Sequence, residues 1–272
     1  MQIVGMNNCK ERLARMSKLP HLTIMSAPRG AGKTLLIKRM AEEYNLRLVH
    51  IGNKIDDIRN LIQDSVSLEQ PTLFAIGEGD SMSLGAKNAL LKITEEPPKN
   101  CHIVMEIRDI STVLETIISR GTIFEIDKYS YKELKRYAIE VLGMSDDEDT
   151  SNICQISTTP GDVKVYMEVG YKECFNFAQT VYNNIMKVTT GNAFKIKNRI
   201  DFTGKGKGFP IDMFFNVLNF VCRQNINQPQ ALYIMECTIK ALNALKVNGA
   251  NKEMAFDIWV LDCRLRRGEY YA

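Results

Sequence analysis

Along the first half of the chain, short apolar runs alternate with segments whose apolar residues recur at helical spacing. Leu22 to Ser26 reads as a strand, followed by a glycine-containing turn and a helix from about Lys33 to Tyr44. Leu46 to Ile51 predicts a second strand, and Ile55 to Asp64 a helix with Ile58, Leu61 and Ile62 on one face. Thr72 to Ile76 is a continuous apolar run ending at Gly77 and Glu78, the pattern of a strand buried on both faces. A helix from Ser83 to Glu95 stops at Pro97-Pro98; a strand at His102 to Ile107, a helix from about Thr112 to Ser119 and a last strand at Thr122 to Ile126 complete the series. Strands alternating with helices imply a parallel sheet with right-handed crossovers, so residues 1–127 read as one α/β domain.

Beyond Asp127 the strand pattern stops. Tyr131 to Leu142 is amphipathic, with Leu134, Tyr137, Ala138 and Val141 at helical spacing, and Pro160-Gly161 opens a helix running to about Glu168. The acidic stretch from Met144 to Thr150 between them reads as a solvated loop and helix N-terminus. Residues 128–172 thus form a small helical unit. From about Glu173 the pattern is almost wholly helical: 174–189, 194–200, 210–224, 229–245 and 252–267 each carry an apolar stripe, separated by Gly, Asn and Pro turn signals. A helical bundle over 173–272 is the economical packing. Gly204-Lys205-Gly206-Lys207-Gly208 reads as a flexible loop.

Composition narrows the class. The 272 residues are 45% hydrophobic and 25% charged, ordinary for a globular protein, and exceed one typical domain. Lys and Arg number 35 against 32 Asp and Glu, which excludes a strongly basic nucleic-acid binder. That small excess is unevenly spread: residues 1–172 hold 22 Lys and Arg against 24 Asp and Glu, and residues 173–272 hold 13 against 8. No apolar run approaches a membrane span and the N-terminus lacks a signal-peptide core, so the expectation is a cytoplasmic protein without membrane contact. The seven cysteines and three histidines are scattered with no C-x-x-C pair, which argues against a disulfide framework, a zinc site and a Cys/His nucleophile.

The chemistry gathers around Ala27-Pro28-Arg29-Gly30-Ala31-Gly32-Lys33-Thr34. It matches the phosphate loop G-x-x-x-x-G-K-[ST] except for Ala27 at the first glycine. A strand delivers the chain, glycines turn backbone N–H groups toward a phosphate, and a helix N-terminus adds its positive dipole end. Pro28, Arg29, Gly30, Ala31, Gly32, Lys33, Thr34 and Leu35 are the nucleotide-binding candidates, with Lys33 on the β- and γ-phosphates and the Thr34 hydroxyl on Mg²⁺. The plainer alternative is a glycine-rich turn. In a P-loop ATPase a second buried strand supplies an Asp for the metal and a Glu that orients water. Glu78 fits the second role, but Gly77 stands where the Asp is expected, and Asp80 lies two residues further on between glycines.

The stretch Ala86-Lys87-Asn88-Ala89-Leu90-Leu91-Lys92-Ile93-Thr94-Glu95-Glu96-Pro97-Pro98, followed by Ile117-Ile118-Ser119-Arg120-Gly121, resembles the ATPase domain of clamp-loader subunits. These are AAA+ proteins of the family that contains the bacterial DNA polymerase III gamma and delta-prime subunits and their phage counterparts. Pro20-His21 ahead of the phosphate loop also fits. The resemblance implies an α/β P-loop AAA+ domain with a parallel sheet (1–127), a small helical lid (128–172) and an all-α C-terminal collar (173–272). It implies ATP with Mg²⁺ as ligands. Its implied partners are the other subunits of a ring, five in the family, together with a sliding clamp and primer-template DNA.

In that family a Ser-Arg-Cys box carries an arginine finger that reaches a neighbouring subunit's ATP. Arg120 occupies the position, with Gly121 replacing the cysteine; the alternative is an arginine that caps a helix and pairs with a local carboxylate. The sensor after the next strand falls at Ile107 or Arg108, and the lid's sensor arginine is replaced near Asp162, with Lys164 a weak substitute. The interval Leu35 to Leu73 has no cysteine, so the zinc module common in gamma-type subunits is missing. Phosphate-binding parts intact and hydrolytic parts altered resemble a delta-prime-like subunit in a reduced, phage-type version. Glu78 and Arg120 are its catalytic candidates. Lys87 and Lys92 are DNA-backbone candidates or ordinary surface lysines; the cations Lys205, Lys207, Arg264, Arg266 and Arg267 face solvent or a partner. Three other readings fit less well: a gamma-like motor subunit, a small P-loop kinase or NTPase, and a ring component that binds no nucleotide.

Overall fold

A computed structural model describes residues 4–187, 189–204, 206–247 and 249–265. It divides into two compact units, one of Met1–Ser145 with Ser157–Val163 and the other of Asp146–Ile156 with Lys164–Ala272.

The first unit opens with helix α1 (Asn7–Arg15) and then alternates β1 (Leu22–Ser26), α2 (Lys33–Glu43), β2 (Arg47–Ile51), α3 (Ile55–Ser65), β3 (Thr72–Ile76), α4 (Leu84–Glu95), β4 (Cys101–Ile107), α5 (Glu115–Ile118) and β5 (Thr122–Glu125). The five strands form one sheet in the order β2-β3-β4-β1-β5, every pairing parallel. All five lie within a residue or so of the positions that the apolar runs predict; β3, buried at every position, shows most clearly that a strand covered on both faces reads as a nearly continuous apolar run. Period-two alternation then sorts the side chains. Met25, Ala75 and Val104 pack with Leu36, Ile37 and Met40 of α2 and Cys9 and Leu13 of α1. Ile24, Phe74 and Met105 pack on the other side with Ile58 and Leu61 of α3 and Leu90 and Ile93 of α4. His21 ties the start of β1 to its neighbours: its ring nitrogens lie 2.7 Å from the Cys101 carbonyl and 3.2 Å from that of Ile93.

Two segments of this unit depart from the pattern. The helix expected over 112–119 is a 3₁₀ turn (Ile110–Thr112), an extended Val113-Leu114 and the single-turn α5. Asp109 caps the 3₁₀ turn through Ser111 N–H (2.9 Å), and the Thr112 hydroxyl bonds the Asp109 carbonyl (2.7 Å), so local polar bonds replace the helical ladder. The amphipathic stretch after Asp127 starts as α6 (Tyr131–Arg136), with a capping box between Ser130 and Glu133, and widens into a π turn over Tyr137–Val141.

In the second unit, α7 (Glu148–Ile156) begins inside the acidic stretch, capped by Asp147 on Thr150 N–H at 2.8 Å. Helix α8 (Pro160–Val169) starts among the first unit's residues and continues into the second's. The remainder is α9 (Tyr171–Asn184), α10 (Thr190–Phe194), α11 (Ile211–Gln224), α12 (Pro229–Leu245) and α13 (Lys252–Leu265). Phe214, Phe215, Phe256 and Trp259 form its aromatic centre, where Trp259 donates its indole N–H to the buried Thr238 hydroxyl at 3.1 Å. The helix expected over 194–200 is instead a 3₁₀ turn (Lys195–Arg199) leading into the two-residue strand β6 (Ile200–Asp201), paired with β7 (Phe209–Pro210). Asp201 organises that change: its carboxylate accepts N–H bonds from Thr203, Gly204 and Gly206. Lys205, Arg266 and Arg267 lie outside the described residues.

All seven cysteines are buried and none is in a disulfide. Among the described residues no helix is long and apolar enough to cross a membrane.

Candidate functional site

The phosphate loop leaves the C-terminal end of β1 still attached to the sheet, since Ala27 N–H donates to the Ile107 carbonyl at 3.1 Å. Ala27 is buried with an ordinary negative φ, which is why alanine serves where the motif has glycine. Positive φ occurs at Gly30 (75°) and Gly32 (89°), a conformation side chains resist. A Cβ on Gly30 would lie 2.8 Å from Gly161 Cα and from the Thr159 hydroxyl, and Gly161 N–H donates to the Gly30 carbonyl at 3.0 Å. The start of α8 therefore presses on the loop's apex. Tyr129 holds the other side, its hydroxyl donating to the Ala31 carbonyl at 2.8 Å.

Gly32 caps α2, whose first turn contains no acidic residue, so the helix N-terminus keeps its positive end uncompensated. Lys33 Nζ donates to the carbonyls of Ala27 (2.6 Å) and Pro28 (3.1 Å). Burial pushes its pKa below the ordinary lysine value, and nearby Glu106 and Asp80 partly oppose that.

A cavity of about 320 Å³ opens over this loop. It gathers three cations (Arg29, Lys33, Arg108) and three carboxylates (Glu78, Asp80, Glu106), with Pro28, Gly30, Gly32 and Thr34 along one side. Ala31 and Leu35 are not part of the lining: Ala31 turns into the core, and Leu35 sits half-buried on the first turn of α2.

The carboxylates have different partners. Glu78, in the left-handed region at φ 49°, has Arg29 at 3.3 Å and Arg108 at 3.9 Å. Asp80 is nearly buried and accepts Arg108 N–H (2.9 and 3.0 Å), Asp109 N–H (3.2 Å) and the Thr112 hydroxyl (3.1 Å). It fixes the exit of β4. Glu106 projects from β4 beside the loop: burial raises its pKa, opposed in turn by Lys33, His50 and a hydrogen bond with Thr34. The sequence pattern did not single it out, although a charged residue inside an apolar parallel strand was the available signal.

This donor set suits a magnesium-bound nucleotide. Two glycines at positive φ, an uncompensated helix N-terminus, Lys33 and the Thr34 hydroxyl supply what polyphosphate and its metal need.

The profile of a family described as "DNA polymerase III, delta subunit" matches residues 44–130. The chain is 26% identical over 172 residues to DNA polymerase III subunit tau of Bacillus subtilis, covering 50% of this chain and 30% of that protein. It is 29% identical over 124 residues to the sliding-clamp-loader large subunit of Escherichia phage RB69, covering 43% and 39%. These similarities support an AAA+ clamp-loader subunit. The chain spans less than half the length of each of these two relatives. The solved Holliday junction branch migration motor RuvB of Thermotoga maritima shares the fold, with a TM-score of 0.52 at 21% identity over 82% of this chain and 76% of that one.

The positions read from the clamp-loader motifs divide into two groups. Glu78 joins the phosphate loop at the cavity. Arg120 stands elsewhere, just before the N-terminal end of β5, donating to the Thr116 carbonyl (2.7 Å) and pairing with Glu95 (3.1 Å). Because Thr122 pairs with Thr23 at the start of β1, about 16 Å of strand at roughly 3.3 Å per residue separates Arg120 from the phosphate loop. Of the two lysines on α4, Lys87 donates to the Thr112 carbonyl at 2.6 Å, while Lys92 is exposed. Asp162, at the lid-sensor position, caps α8 by accepting N–H bonds from Thr158 (2.9 Å) and Thr159 (2.8 Å), and Lys164 pairs with Glu168 one turn on.

Proposed function

We propose that this protein is a clamp-loader subunit of a DNA replication machine that holds ATP with Mg²⁺ at the phosphate loop and works within a ring. Residues 128–172 act as lid and 173–272 as collar, other subunits complete a ring of five, and the assembly places a sliding clamp on primer-template DNA. One observation carries the reading: Gly30, Gly32, Lys33 and Thr34 border one cavity at the C-terminal end of a parallel sheet, where the strands of such folds bring ligand-binding loops together.

Within the ring the chain acts in the delta-prime manner, its own-site hydrolysis secondary to a service for its neighbour. Glu78 is engaged by Arg29 and faces no carboxylate at Gly77. Arg120 lies too far from its own phosphate loop to serve it, which suits a guanidinium offered in trans once it leaves Glu95. Lys92, exposed on α4, is the better placed of the two lysines for a DNA phosphate.

Equilibrium binding of a fluorescent ATP analogue to the wild type and Lys33→Ala tests the nucleotide reading. Saturable binding lost in the variant supports it; equal, negligible binding by both overturns it. The presence of Glu78 in the cavity favours a second reading, a motor subunit with Glu78 orienting water. ATP turnover by the purified chain with clamp and DNA, lost on Glu78→Gln, would decide for the motor.

A further inference from the structure

Strands β3 and β4 pair in parallel from Thr72 with Cys101 to Ile76 with Met105, and one step further along both places Gly77 beside Glu106. Ile76 and Met105 point into the core face shared with α3 and α4. Alternation turns Gly77 and Glu106 to the opposite face, the one Ala75 and Val104 share with α2, and Glu106 lines the same cavity as Thr34. At Gly77 a Cβ would meet nothing within 4 Å, so the place of the missing side chain is open. Asp80 is held by backbone N–H groups at the exit of β4, and Glu78 by Arg29.

We propose that Glu106 on β4 supplies the metal-side carboxylate that Gly77 lacks on β3, holding the Mg²⁺ of a bound nucleoside triphosphate together with the Thr34 hydroxyl. The inference rests on the nucleotide-binding reading above. Adjacent strands lie about 4.8 Å apart, and glutamate is one methylene longer than aspartate, so a carboxylate on the next strand reaches the same side of the cavity. Mg²⁺ in nucleotide sites is held by one or two carboxylates besides the phosphates, so one relocated group suffices. Glu106 is half-buried in the cavity that Lys33 and Thr34 also line; a carboxylate so placed is costly by itself, and a dication beside it offsets that cost.

The test is the affinity of the full chain for a fluorescent ATP analogue, measured with Mg²⁺ and again in EDTA. In the wild type Mg²⁺ tightens binding. In Glu106→Gln the ratio of the two affinities falls by about tenfold. Gly77→Asp, placed in the Glu106→Gln chain, restores the ratio, and in a Gly77→Asp background the Glu106→Gln change has no further effect on it. This last comparison needs no Glu106→Gln single variant, should that chain fail to fold. A Glu106→Gln chain that keeps the wild-type ratio, or a double variant that does not regain it, overturns the relocated carboxylate while leaving nucleotide binding intact. A wild type that binds no analogue in either buffer overturns the nucleotide reading and this inference with it.

Discussion

Two loops of this chain are rich in glycine and lysine, and they do opposite things. The phosphate loop and the loop after Asp201 each contain a glycine at φ 75°, Gly30 and Gly204. After Asp201 the chain provides its own anion: the carboxylate takes Thr203 N–H at 2.8 Å, Gly204 N–H at 3.0 Å and Gly206 N–H at 2.9 Å. Burial pushes its pKa up, but those hydrogen bonds outweigh it and hold the carboxyl below the ordinary aspartate value. At the phosphate loop a lysine, not a carboxylate, enters the turn, and the first turn of α2 carries no acid. Glycine content permits an N–H nest; whether the chain fills it decides whether a foreign anion has a place there.

The largest effects should separate the two loops completely. Lys33→Ala weakens binding of the fluorescent ATP analogue by about a hundredfold or more, roughly 2.7 kcal/mol, without lowering the unfolding midpoint. Asp201→Ala does the reverse: three N–H donors lose their acceptor, and denaturant unfolding shows a loss of about 2 kcal/mol while analogue binding stays at the wild-type level. Binding losses of similar size in both would erase the distinction. A smaller difference separates the two glycines. Alanine at either pays a backbone strain of about 1–2 kcal/mol, but at Gly30 the new Cβ also meets Gly161 Cα at 2.8 Å, whereas Gly204 faces open space. Unfolding midpoints should therefore fall further for Gly30→Ala; equal falls would count against the close approach of α8.

The smallest effects lie in pH dependence, and their signs differ. Glu106 has a folded pKa raised above its ordinary 4.5, so the folded chain retains a proton that the unfolded chain releases, and stability drops as pH rises through that window. Glu106→Gln should thus gain on the wild type at neutral pH and lose that advantage below the ordinary glutamate range. Asp201 has a folded pKa depressed below 3.8, so its contribution is fully present above that value and disappears as pH falls through the folded one. The advantage of the wild type over Asp201→Asn should fade in acid. Denaturant unfolding of both pairs across that range in nucleotide-free buffer checks the two slopes, and parallel slopes would contradict the assignment.

Much of the site was legible because its residues are contiguous. A strand, two glycines, Lys33 and Thr34 within a dozen positions make a phosphate-loop pattern that needs no distant contact to be read. The carboxylates were not legible in that way. Asp80 sits two residues from Glu78 in sequence, yet its bonds run to Arg108, Asp109 and Thr112 on a different segment. Glu106 is separated from Gly77 by a helix and most of a strand, and alignment of one strand against another brings them together. The helix expected over 112–119 was shortened by those same Asp80 and Asp109 bonds, which no periodicity records.

By itself the sequence determined the strands, most of the helices that cover them and the glycine-lysine loop after β1, because each depends on neighbours a few positions away. Tertiary structure alone decided which carboxylate stands beside Thr34, where Asp80 is anchored and how far Arg120 lies from its own phosphate loop. Those outcomes depend on which parallel strands become neighbours, a choice made by burying two apolar faces at once and not by any local preference.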